Sequence, residues 1–137
     1  LIPLKQNRLY DLDYVNKFVA ENFMAVEESA TIIKSKSNNI SRVWMEIPAL
    51  KENIHCGAGL FFESRLNNLD DLSPMLNRVV QTVTYAGFEP IDFVDFVKSS
   101  PLKGIDRFVP FGKALDFATI WDGFELKQVF MRNITIS

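Results

Sequence analysis

The stretch Gln81–Val109, QTVTYAGFEPIDFVDFVKSSPLKGIDRFV, changes its hydrophobic period twice. Gln81–Tyr85 (QTVTY) is rich in β-branched and aromatic residues, which suit a pleated half-buried surface, and Gly87 ends it. Pro90 fits the first turn of a helix, where the amide hydrogen it lacks would have no intrahelical partner. Ile91–Lys98 then pairs Ile91 with Val94 and Phe93 with Val97 at helical spacing. Arg107–Val109 is a second short strand, closed by Pro110 and Gly112. A strand, a helix and a strand in this order predict a parallel pair joined by a helical crossover.

The same rhythm extends upstream. Gly59–Glu63 is a short apolar run that reads as a buried strand. Asn68 is placed to cap a helix carrying Leu69, Leu72, Leu76 and Val79 on one face, with Asp70 and Asp71 in its first turn. The expectation from Gly59 to Val109 is an α/β fold with a parallel-sheet β-α-β-α-β segment and right-handed crossovers. Before it, Asp13–Ile33 reads as an amphipathic helix whose apolar face is Val15, Phe18, Val19, Val26 and Ile33. Asp11 or Asp13 caps its start, and Lys34 and Lys36 complement its C-terminal dipole. Lys34–Asn39 is polar and reads as a loop. Ile40–Ile47 reads as a strand in which Val43, Met45 and Ile47 alternate with Arg42, Trp44 and Glu46. Downstream, Trp121-Asp122-Gly123 reads as a surface turn with Trp121 packed on the domain, and Val129–Ile136 as a further strand.

The bulk properties exclude several classes. The 137 residues suit one domain, 1–137, or a piece of something larger. Apolar residues make up 47% and charged residues 23%, as in a globular protein. A net charge of −2 gives no electrostatic reason to expect nucleic acid or an anionic membrane. No apolar run approaches the roughly 18 residues of a membrane span, and no signal-peptide pattern opens the chain, so a cytoplasmic location is expected. Because the chain begins Leu1-Ile2-Pro3 and not with Met, either a removed leader or a fragment of something longer is expected. A fragment of a split domain is expected to expose apolar surface and to self-associate as a homo-oligomer.

The common catalytic signatures do not occur. There is no G-x-x-x-x-G-K-[ST], no G-x-G-x-x-G and no G-x-S-x-G. One cysteine and one histidine leave no multi-cysteine metal site and no zinc site, so no metal is expected. His55-Cys56, followed by Gly57-Ala58-Gly59, is the constellation to weigh. A thiol beside an imidazole and ahead of glycine amides has the composition of an activated nucleophile. Adjacent side chains commonly point apart, however, and the plainer reading makes Cys56 a small buried hydrophobe at a turn.

The segment Gly104-Ile105-Asp106-Arg107-Phe108-Val109-Pro110-Phe111-Gly112-Lys113-Ala114-Leu115-Asp116-Phe117, followed by Trp121-Asp122-Gly123-Phe124, resembles the C-terminal signature of the long-chain acyl-CoA reductases of the bacterial bioluminescence type (the LuxC family). Cys56-Gly57-Ala58-Gly59-Leu60-Phe61 and Gln81-Thr82-Val83-Thr84-Tyr85-Ala86-Gly87 agree in order and spacing. The resemblance implies a catalytic domain of the aldehyde dehydrogenase fold. It also implies a reaction in which an active-site cysteine takes the acyl group of a fatty acyl-CoA and NADPH delivers hydride to release the aldehyde. The family's nucleophile and its nucleotide-binding half lie upstream of this signature, so no catalytic residue is assigned within the chain. Cys56 sits too close to Gly104 to be that nucleophile. By alignment with the Glu-x-Phe-Gly-Pro segment of aldehyde dehydrogenases, the resemblance brings His55 to the position of a ribose-contacting Glu and Gly57 close behind it, as the cofactor-binding residues. His in place of Glu departs from that pattern, but an imidazole can still hydrogen-bond a ribose hydroxyl. The remaining partner implied is the rest of the reductase chain. The competing reading is a non-catalytic α/β binding or oligomerisation domain, since fold alone does not carry function.

Overall fold

In the computed structural model, residues 10–100, 102–121, 123–132 and 134–136 are described. The fold is mixed α/β, with small sheets and short helices in two compact units, Leu1–Leu66 and Asn67–Ser137.

In the first unit α1, Asp11–Glu27, starts behind Tyr10, whose backbone N–H donates to the Asp13 carboxylate at 2.9 Å. Asp13 therefore serves the helix start from inside the first turn, where its negative charge also opposes the dipole. The helix ends at Glu27, six residues before the expected Ile33, which lies instead in β1. Strands β1, Thr31–Lys34, and β2, Ser41–Trp44, form an antiparallel hairpin across the expected polar loop. Strand β3, Leu60–Glu63, lies parallel to β2 on its other side. Ser41, Val43 and Met45 point into the core at the period-two spacing expected of a strand, whereas Ile47 lies beyond its end and is exposed. The core comprises Ala20, Met24, Val43, Met45 and Leu60.

The helix was expected to bury Val15, Phe18, Val19 and Val26. It buries the opposite side: Lys17, Ala20, Glu21 and Met24 face inward, and the four expected residues are exposed. The physical reason lies in the loops that α1 meets. They present backbone carbonyls that need a donor, and Lys17 supplies it, as described below. Lys34 likewise reaches Glu21 in an ion pair from β1 and does not act at the helix C-terminus, which has no basic residue in its last turn.

In the second unit the residues after Asn68 form a short 3₁₀ helix, Asp70–Met75, where a longer helix was expected. Pro74 removes one amide donor and crowds the preceding turn, so the helix stops before Leu76, and Val79 is left exposed. The residue at the cap is Leu69 and not the expected Asn68; Asn68 Oδ1 nevertheless accepts from the Asp71 N–H at 3.0 Å, and Asp71 Oδ2 accepts from the Asn67 and Asn68 N–H groups. Strand β4, Thr82–Tyr85, helix α2, Pro90–Ser99, and strand β5, Arg107–Pro110, form the expected unit, with β4 and β5 parallel and in register from Thr82↔Arg107 to Tyr85↔Pro110. Phe93 and Phe96 are the buried residues of α2; Ile91, Val94 and Val97 are not. Phe93 is the hub, with ring centroids 4.6 Å from Tyr85, 5.7 Å from Phe88 and 4.7 Å from Phe108. Among the described residues parallel pairing is thus limited to β2–β3 and β4–β5, and the five elements from Gly59 to Val109 do not make one continuous sheet. A two-residue antiparallel pair, β6 Ile120–Trp121 and β7 Phe124–Glu125, and a short helix α3, Leu126–Phe130, follow. Val129 is therefore helical, and the described residues after Phe130 form no strand. No helix among the described residues is long and apolar enough to cross a membrane.

Candidate functional site

The turn Lys51–Gly59 carries the residues singled out in the first unit. The Ile54 and His55 amides both donate to the Lys51 carbonyl, at 3.2 and 3.0 Å, which winds the chain back before the glycines. Gly57, Ala58 and Gly59 then take three consecutive positive φ angles, 71°, 50° and 74°. Only glycine adopts this region freely, and the Ala58 conformation is held by its surroundings. Leu60 N–H closes the turn on Gly57 O at 2.8 Å, and Ser41 N–H takes Gly59 O at 2.9 Å, fixing the entry to β3. A Cβ on Gly59 would fall inside 3.0 Å of Asn39 O, so glycine is required by close approach as well as by φ; a Cβ on Gly57 would meet nothing within 4 Å.

Lys17 holds this turn. Its side chain is fully buried, and its ammonium donates to Asn38 O at 2.8 Å and to Ala58 O at 3.2 Å. One cation thereby ties the tip of the β1–β2 hairpin to the turn before β3. Burial pushes the Lys17 ammonium below its ordinary value, while the nearby Glu21 and Cys56 groups act to raise it and Lys34 to lower it. Sequence reading missed Lys17. The available signal was its spacing of three and seven residues from Ala20 and Met24, which puts it on the buried stripe.

Among the described residues no hydrogen bond joins His55 to Cys56. His55 is exposed, with its ring 6.1 Å from that of Phe62, whereas Cys56 is half-buried and packs against the core. The thiol's hydrogen-bonding contact is a weak one to Gly57 O at 3.9 Å. The plainer reading of Cys56 as a small hydrophobe therefore matches its surroundings. Both residues border a cleft of about 360 Å³ lined also by Asn16, Val19, Phe23 and Asn53. Its volume suits part of a small molecule and not a whole dinucleotide. Among the described residues no Lys or Arg lines it, and its polar groups are those of Asn16, Asn53, His55 and Cys56. Gly57, two residues after His55, presents open backbone: a Cβ there would meet nothing within 4 Å.

In the second unit the signature residues converge around Arg107. Its Nε donates to Thr82 Oγ1 at 3.0 Å, a terminal nitrogen donates to Ala114 O, and its guanidinium lies 4.5 Å from the centre of the Trp121 ring. Phe117 stacks near Trp121 with centroids 6.1 Å apart. The Asp106 and Arg107 amides both reach Gln81 O, and Gly104 lies so close to the Asn77 and Arg78 backbone that a Cβ would fall inside 3.0 Å. Trp121 is packed as expected of the turn, and Gly123 has a φ of 78°; Asp122 lies outside the described residues. Arg78, Gln81, Asp106, Trp121 and Phe124 line a cleft of about 900 Å³. Among the described residues no cluster of His, Cys, Asp and Glu is arranged to hold a metal ion. Compared with known proteins, the chain matches no family model and no curated sequence.

Proposed function

We propose that this chain is the C-terminal part of a cytoplasmic, NADPH-dependent fatty acyl-CoA reductase with an aldehyde-dehydrogenase-like catalytic domain, which releases long-chain aldehyde from a cysteine thioester formed outside this chain. The observation that carries the reading is the convergence on Arg107. Two segments that separately resemble the reductase signature, Gln81–Gly87 and Gly104–Phe124, are joined there by backbone pairing and by the Arg107–Thr82 hydrogen bond, while the Arg107–Trp121 stack folds the second segment on itself. Residues matched in order along the chain are therefore also neighbours in space, which supports their belonging to one inherited unit.

In this reading the chain borders the active site. NADPH, when bound, supplies the hydride. His55 offers an exposed imidazole that can donate to or accept from a ribose hydroxyl, and Gly57 leaves room for the sugar. The cofactor phosphates are held by residues outside this chain.

The test uses the natural gene product. Incubated with a long-chain acyl-CoA without NADPH, it is expected to accumulate an acyl thioester that peptide mass spectrometry maps to a cysteine upstream of Leu1. Acylation of Cys56, or reduction of acyl-CoA by the 137-residue chain alone, refutes the assignment. A second reading, a non-catalytic binding domain, is favoured by one observation: the outward face of α1 exposes Leu12, Val15, Phe18, Val19, Phe23 and Val26.

A further inference from the structure

Helix α1 exposes a regular seam. Leu12, Val15, Val19, Asn22 and Val26 follow one another at spacings of three, four, three and four residues, the a/d pattern of a coiled-coil helix. The apolar members are 67%, 56%, 61% and 76% exposed from Leu12 to Val26, and Phe23 flanks the seam. A stripe this regular, on the side of the helix turned away from its own core, has the form of a surface for another helix. The single polar seam position is Asn22. Its Nδ2 donates to Phe18 O at 2.7 Å, which leaves its side-chain oxygen as the acceptor offered to a partner. One such residue in a seam sets register.

Charge selects the kind of helix. The only basic residue of α1 is the buried Lys17, whereas Asp11 and Asp13 stand at its start and Glu27 at its end; Glu28, just beyond, is already ion-paired with Lys51 at 2.7 Å. A second copy, packed parallel or antiparallel, would bring acidic ends against acidic ends. An anionic membrane would meet the same repulsion. We propose that the outward face of α1 docks an amphipathic helix of a partner protein whose apolar seam is bordered by lysine or arginine at both ends. This inference does not depend on the reductase reading.

The probe is a fluorescein-labelled helical peptide of about five turns, near the roughly 25 Å length of α1, with Leu at a and d, Lys at e, g and both ends, and Ala elsewhere. Titrated with the full chain, its anisotropy is expected to saturate, with affinity falling as salt rises. The double variant Val15→Ser/Val19→Ser changes exposed positions and keeps the circular dichroism of the wild type; it is expected to bind at least about tenfold more weakly. Asp11→Lys/Glu27→Lys should shift preference to a peptide with Glu in place of Lys. No binding by the wild type, equal binding of a composition-matched scrambled peptide, or undiminished binding by the folded double variant overturns the proposal. So does a dimer of the chain alone, seen in sedimentation and abolished by the double variant, which would make a second copy the occupant.

Discussion

Gly57→Ala and Gly59→Ala form a matched pair two residues apart in one turn, and their difference isolates a single interaction. Both glycines have φ near 70°, so each alanine pays the left-handed conformational cost of about 1–2 kcal/mol. Both substitutions also restrict the unfolded chain equally, a gain of about 0.4–1 kcal/mol that cancels in the comparison. At Gly57 the added methyl meets open space; at Gly59 it meets Asn39 O inside 3.0 Å. Relief requires β3 to move from the β1–β2 hairpin tip, which strains the Ser41–Gly59 hydrogen bond. Overpacking of this kind costs about 1–3 kcal/mol and a lost backbone bond about 1 kcal/mol. Gly59→Ala is therefore expected to lose about 2–4 kcal/mol more than Gly57→Ala, by addition of those two ranges. Urea denaturation followed by Trp44 fluorescence in a Trp121→Phe background reads the first unit directly. Equal losses in the two variants would refute the close approach of Gly59 to Asn39.

Three further outcomes follow from the structure. Phe93→Ala empties the centre of the aromatic cluster and should destabilise the second unit by about 3–5 kcal/mol in urea, with loss of near-ultraviolet dichroism; a change below 1 kcal/mol would mean that the cluster is not the core. The folded Lys17 ammonium titrates below its ordinary value, so above that folded value the unfolded chain binds more protons than the native one and stability rises with pH toward about 10. Lys17→Met should flatten that rise, and parallel curves for the two proteins would sink the argument. The Glu63 carboxyl is held below its ordinary value chiefly by its hydrogen bonds with Arg42, so their joint contribution is present above the usual carboxylate range and lost as pH falls through the folded value. Arg42→Met should remove that acid-side dependence, measured as midpoint against pH between about 2 and 6.

The parts of the fold that were legible are those in which local chemistry and tertiary packing agree. QTVTY, Gly87, Pro90 and the strand at Arg107 were read correctly because turn residues and period changes mark them locally. The helix after Asn68 is cut short at Pro74, which breaks the ladder that the apolar spacing of Leu69, Leu72, Leu76 and Val79 would otherwise extend. Helix α1 failed differently. Its existence and start were legible, but its apolar face was assigned inward by the ordinary rule, and that rule cannot register a lysine that satisfies two distant carbonyls. Arg107 was visible as part of a strand and a motif; its place over Trp121 was not, because the two meet only after the chain turns at Pro110 and Ala114.

Neighbouring residues alone carry the mixed α/β class, the β4–α2–β5 unit, the turn at Trp121 and the resemblance on which the reductase proposal rests. Tertiary structure decided which side of α1 is buried, that β3 pairs with β2, that Cys56 packs and His55 is exposed, and that the signature closes around Arg107. Each of these depends on a contact between residues far apart in the chain, where the need to satisfy buried carbonyls and to fill a core overrides local preference.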